Sequence, residues 1–183
     1  VTAAKLKSAK NYWKDEFSNY PEPHLGVVVG GSNKTVDFNV SEAEQLAELM
    51  LTKARTEGFG SVLLTTSRRT GKAETEALHQ ALQSGGLPFY FYDADSDAEN
   101  PYFGILASSD ALIVTAESFS MMSEALAAAK PVFAYGLHWY LGKFHKTWGT
   151  AASAELTPVD PKVAEVTNTA QVIADAIQSR LGK

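Results

Sequence analysis

The chain has no cysteine among its 183 residues. That excludes disulfides, thiolate nucleophiles and cysteine-bound metals, and it fits a reducing compartment. No apolar run approaches the ~20 residues that a membrane-spanning helix needs, and no signal peptide is visible. No basic stretch occurs either. The 16 Lys and Arg stand against 21 Asp and Glu, a formal charge of −5, so the footprint of a nucleic-acid binder is missing. The GxGxxG, GxxxxGK[ST], GxSxG and HExxH patterns are all absent. With them go the usual signatures of dinucleotide sites, P-loops, serine hydrolases and zinc peptidases. What is present is a globular balance of 45% hydrophobic and 20% charged residues, in a length that suits one sizeable domain.

Apolar residues at helical spacing (Ala4, Leu6, Ala9, Trp13, Phe17) predict a helix over 3–18. Tyr20-Pro21-Glu22-Pro23 ends it. Short apolar runs at 25–29, 61–66, 88–92, 112–115 and 131–135 predict five buried strands. Between them fall a helix over 41–57 opened by a Ser41/Glu44 capping box, a helix over 73–83, and a short helix ending near Ser108. Asn100 is placed to cap that short helix, with Pro101 in its first turn. A weak helix after the loop 136–144 and an amphipathic helix over 169–181 complete the pattern. Regular alternation of strand and helix implies an α/β fold: a Rossmann-like, doubly wound parallel sheet in three α/β/α layers.

Ligands of such sheets gather at the carboxyl ends of the strands, which directs attention to the loops 30–34, 67–71, 93–102, 116–120 and 136–144. The segment 110–135, DALIVTAESFSMMSEALAAAKPVFAY, is the most informative. Ser118 and Ser120 place hydroxyls beside the unpaired N–H groups of a helix start, where anions bind. Glu124, one turn on, can accept from a ribose diol, and Met121 and Ser123 lie between. The competing reading is an ordinary N-cap serine and a capping glutamate. Ser67-Arg68-Arg69-Thr70 puts two arginines at a strand end, a phosphate-binding choice, unless they are a solvated pair or bridge to the acidic loop 93–99. Gly31 and Ser32 allow close backbone approach to a ligand, or simply turn the chain. Asn100 or Tyr102 is a candidate base or sugar contact, although the cap and Pro101 account for the segment by themselves.

Asp93-Ala94-Asp95-Ser96-Asp97 mimics a calcium loop, but Ala98 stands where glycine is needed and Gly104 where glutamate is needed. It reads as a solvated turn, and no metal site is expected. His138 and His145 fall near the predicted ligand edge as candidate substrate contacts. His138-Trp139-Tyr140 is a candidate exposed aromatic contact surface.

NPYFGILASSDALIVTAESFSMMSEALAAAKPV, together with TTSRRT and VVVGGSNK, resembles the mitochondrial fission family named from a plant elongated-mitochondria mutant, in its bacterial branch. That family is similar to GT-B glycosyltransferases and to nucleoside-diphosphate-sugar (NDP-sugar) epimerases. The resemblance implies a nucleotide-sugar-binding domain spanning 1–183, the C-terminal half of a longer two-domain protein. It would place Ser118–Ser120 on the diphosphate and Glu124 at the ribose. In a donor domain the arginine pair adds Arg68 or Arg69 against the departing charge. It implies Asp at position 117, where this chain has Glu117, and no direct role is assigned there.

The opening Val1 fits an expected N-terminal domain that carries the acceptor site and catalytic base. No catalytic residue is assigned within these residues, and the domain alone is expected to be inactive. The NDP-sugar is the expected ligand, with no further cofactor. Three functions remain open: a GT-B donor domain, an NDP-sugar epimerase, or a non-catalytic scaffold related to fission factors. The expected location is the bacterial cytoplasm, with peripheral membrane contact allowed.

Overall fold

Three strands, β1 (His24–Val28), β2 (Ser61–Thr65) and β4 (Ala111–Thr115), are buried at every residue. Strands of a parallel sheet are buried this way when helices cover both faces. β3 (Phe89–Tyr92) and β5 (Val132–Tyr135) flank them, and β6 (Leu156–Pro158) lies at the edge. The order is β3-β2-β1-β4-β5-β6. β1 to β5 pair in parallel, and β6 pairs antiparallel to β5. The structure, a computed structural model, describes residues 1–139 and 155–160.

The two-residue period of each strand divides the core between the faces. Leu25, Val27, Val62, Leu64 and Ile113 pack against α2 (Val40–Thr56) and α3 (Lys72–Ser84). Val28, Leu112 and Val114 pack against α1 (Ala3–Phe17), α4 (Tyr102–Ser108) and α5 (Phe119–Leu126). The result is the three-layer, Rossmann-like arrangement expected. α1 lies on α4 so closely that a Cβ on Gly104 would fall 2.4 Å from Trp13 Cδ1.

Several local expectations need correction. α2 is capped by Asn39, whose side chain accepts from the Glu42 N–H at 3.2 Å. Ser41 therefore lies inside the first turn rather than at its head. Asn100 sits one residue outside α4, with Pro101 at the cap position, and its Oδ1 accepts from the Tyr102 N–H at 2.9 Å. The antiparallel β6 was not foreseen: it is three residues long, ends in a proline, and has no apolar run. Pro158 is tolerated because the strand is an edge. Residues 140–144 of the last loop, the weak helix after it, Tyr140, His145 and the helix expected over 169–181 lie outside the described residues.

The topology reverses direction beside β1. From β1 the chain builds outward through β2 and β3, then crosses to β4 and β5 on the other side. Such a switch point leaves a crevice outside the carboxyl ends of the strands.

Candidate functional site

A cleft of about 470 Å³ opens at that carboxyl edge. β2 and its loop contribute Thr65, Thr66, Ser67 and Arg68. The β3–α4 connection and the start of α4 contribute Ala94, Asn100 and Tyr102. α5 and its entry contribute Ser118, Ser120, Met121 and Glu124.

Ser118 occupies the N-cap position of α5 in extended conformation, yet its side chain makes no capping hydrogen bond. Neither it nor exposed Ser120 spends its hydroxyl on another described residue. The helix start therefore presents two hydroxyls that have no partner among the described residues, beside the positive end of its dipole, an arrangement that attracts anions. Met121 is half-buried on the wall. Ser123 is not on the wall: its hydroxyl is buried without a partner among the described residues.

The two arginines part company. Arg68 is exposed on the cleft wall and has no ion pair among the described residues. Arg69 turns away, with Nη2 3.6 Å from Glu117 Oε1. Neither bridges to the acidic loop. Their neighbours do structural work. The Ser67 hydroxyl donates to the Gly30 carbonyl, and the Thr70 hydroxyl donates to the Val29 carbonyl at 3.3 Å while accepting from the Ser67 N–H at 3.1 Å.

Gly31 and Ser32 do not line the cleft. Gly31 has φ +94°, and a Cβ there would fall 2.3 Å from the Arg69 carbonyl oxygen. The glycine is required because the β1 loop is bridged to the β2 loop at this point. Ser32 donates its N–H to the same carbonyl at 3.2 Å, and its hydroxyl accepts from the Phe38 N–H at 3.0 Å.

Glu124 is half-buried on the cleft wall, where the Tyr102 hydroxyl donates to its Oε2 at 2.6 Å. Burial and this carboxylate hold the Tyr102 hydroxyl well above its ordinary range, so it stays a donor. Tyr102, an expected base or sugar contact, lines the cleft with Asn100, while Thr65, Thr66 and Ala94 line it without having been singled out. Of these three only the threonines carried a signal, since they sit at the carboxyl end of β2.

Glu117 is buried beneath the site. Burial pushes its carboxyl up to about 7, against the opposing pull of Thr115, its own backbone N–H and Arg69. His138 does not line the cleft; its Nε2 lies 3.5 Å from Glu42 Oε1. Trp139 is half-buried against Phe38 and Tyr135 rather than exposed, so these two residues do not form an open aromatic surface. His24 and His79 serve packing: His24 Nδ1 meets Ser61 Oγ at 2.8 Å, and the His79 ring lies tilted against Phe91, 4.8 Å between centroids.

The cleft thus joins an unpaired guanidinium and an open helix start to an oriented carboxylate. That suits a ligand with one anionic and one hydroxyl-bearing part. Against known families, the chain matches the one described as Mitochondrial fission ELM1 over residues 1–181. It belongs to the mitochondrial fission ELM1 family. This ELM1-family chain is 33% identical over 150 residues to the mitochondrial fission protein ELM1 of Arabidopsis thaliana, a match covering 80% of this chain and 34% of that protein. It is 30% identical over 138 residues to the uncharacterized protein RP120 of Rickettsia prowazekii (strain Madrid E), covering 73% and 36% respectively. The ELM1-family chain therefore spans about a third of the length of these relatives. Among its described residues no helix is long and apolar enough to cross a membrane.

Proposed function

We propose that this chain is the nucleotide-sugar-binding domain of a GT-B-type protein, the C-terminal half of a longer molecule whose N-terminal domain supplies the acceptor site and catalytic base. One observation carries the reading: a partnerless Arg68 shares a cleft with the uncapped start of α5 and with Glu124. Arg68 and the α5 start hold the diphosphate, and Ser118 and Ser120 donate to its oxygens. Glu124, oriented by Tyr102, keeps Oε1 for the ribose hydroxyls. In a transfer reaction Arg68 would stabilise the charge that develops on the departing diphosphate. The working location is the bacterial cytoplasm, with peripheral contact at a membrane surface.

Calorimetric titration of the full-length protein with UDP, GDP and ADP tests the reading. Binding of one of them is expected, and no binding at millimolar ligand would sink it. An epimerase needs acid and base carboxylates around the sugar. Among the described residues the cleft offers Glu124, already engaged by Tyr102, and product analysis with NDP-sugar and no acceptor checks that reading.

A scaffold without transfer chemistry is the second reading. Family membership favours it, since the plant relative is named as a mitochondrial fission protein. An Arg68→Ala, Glu124→Ala double variant with full biological activity would select it.

A further inference from the structure

Glu117 stands outside the cleft, and its burial calls for a cause. Its side chain is fully buried, and neither carboxylate oxygen makes a hydrogen bond of ordinary geometry. A buried charge whose only ion pair among the described residues is a loose one is costly, and burial outweighs the pull of Thr115, the Glu117 N–H and Arg69. The residue directly precedes Ser118, so the loop that brings hydroxyls to the cleft also carries this acid.

Three strand-end loops meet at the Glu117 carboxylate. From β1 comes Gly30, where a Cβ would fall 1.7 Å from Glu117 Oε1 and 3.0 Å from Arg69 Nη2. From β2 comes Arg69. From β4 comes Thr115, whose hydroxyl accepts the Gly30 N–H at 2.8 Å. Asn33 reaches only the Glu117 backbone carbonyl. Among the described residues, Arg69 is the charged group that acts on this carboxyl.

Arg69 is pinned in its backbone and loose in its side chain. Its N–H donates to Ser67 Oγ at 3.2 Å, and its carbonyl accepts from Ser32. The side chain is 42% exposed, and the 3.6 Å approach of its guanidinium to Glu117 is longer than a hydrogen bond. It is adjacent in sequence to Arg68, which already lines the cleft.

We infer that Glu117 is a positioning residue that holds Arg69 in reserve: a diphosphate entering beside Arg68 draws the Arg69 guanidinium off Glu117, and the buried carboxyl left behind takes a proton from solvent. The inference rests on the nucleotide-sugar reading and adds to it a second cation and a proton. No bond of the ligand changes; one O–H forms on Glu117. The carboxyl sits close enough to neutrality for loss of its cation to complete the protonation. Linkage is reciprocal, so uptake on binding means that a falling pH tightens binding. A rising pH ionises Glu117, which recaptures Arg69 and favours release.

The test is isothermal titration of the full chain with UDP-glucose, GDP-mannose and ADP-glucose, whose esterified diphosphates do not titrate near neutrality. Each is run in two buffers of different protonation enthalpy. The wild-type protein is expected to take up a fraction of a proton per ligand at about pH 7, with affinity tightening several-fold from about pH 8 to about pH 6. Glu117→Gln should bind without uptake and with little pH dependence. Arg69→Met should lose the uptake and bind several-fold more weakly, while Arg69→Lys should keep the uptake. Circular dichroism reports which variants fold, and the wild-type measurement stands without them. Binding without uptake by the wild type, or uptake that persists in Glu117→Gln, overturns the inference and leaves the nucleotide-sugar reading in place. Binding of none of the three sugars overturns both.

Discussion

The Tyr102 hydroxyl donates to Glu124 Oε2 at 2.6 Å, linking the first residue of α4 to the second turn of α5 across the cleft. The bond fixes a half-buried carboxylate that would otherwise choose among rotamers, and it leaves Oε1 for a ligand. Removing it with Tyr102→Phe keeps the ring against Phe103 and should cost about 1–2 kcal/mol of stability. Affinity for a bound nucleotide should fall several-fold. Chemical denaturation and calorimetric titration measure the two effects separately.

Arg68→Ala should leave the midpoint of unfolding almost unchanged, because the side chain is exposed and has no ion pair among the described residues. Nucleotide affinity should drop roughly 10- to 100-fold, the range for a charge-assisted hydrogen bond. Arg68→Lys should recover part of the loss, since it restores the charge but not the planar fork. An unchanged dissociation constant for Arg68→Ala would remove this residue from the site.

Glu117 makes stability depend on pH in a direction opposite to most carboxylates. Its folded carboxyl is raised from 4.5 to about 7. Between those values the unfolded chain has lost its proton while the folded chain keeps it. The contribution of Glu117 to stability should therefore be greatest below about 4.5, fall through the window, and level off above about 7, a total of about 3 kcal/mol. Glu117→Gln should abolish that slope and exceed the wild type in stability at about pH 8. Urea unfolding at a series of pH values tests this, and parallel curves for the two proteins would contradict it.

Gly31→Ala should destabilise the chain by about 1–3 kcal/mol, because φ is +94° and the added Cβ would press on the Arg69 carbonyl. The β1 loop would separate from the β2 loop, so amide exchange should quicken at Ser32, whose N–H bonds that carbonyl. An alanine variant as stable as the wild type, with unchanged exchange, would argue that the bridge between the loops contributes nothing.

Periodicity and composition alone determined the layered α/β fold, the five parallel strands and the edge on which the cleft opens. Runs such as LGVV and SVLL can be buried only in a sheet covered on both faces. The serine turn and Glu124 were legible for the same local reason, since a helix start and the residue one turn later are neighbours by geometry alone. The partners of each side chain were decided by tertiary structure. Arg68 and Arg69 are chemically identical in sequence, yet one faces the cleft and the other leans on Glu117, because the bridge at Gly31 sets the direction of the β2 loop. Gly31 and Ser32 read equally as ligand contacts or as a turn, and in the structure they lie off the cleft wall and fasten two loops together. Tyr102 reaches Glu124 across 22 positions of sequence, a separation that no local pattern reports, since contacts of that kind arise only when the sheet brings two strand ends together.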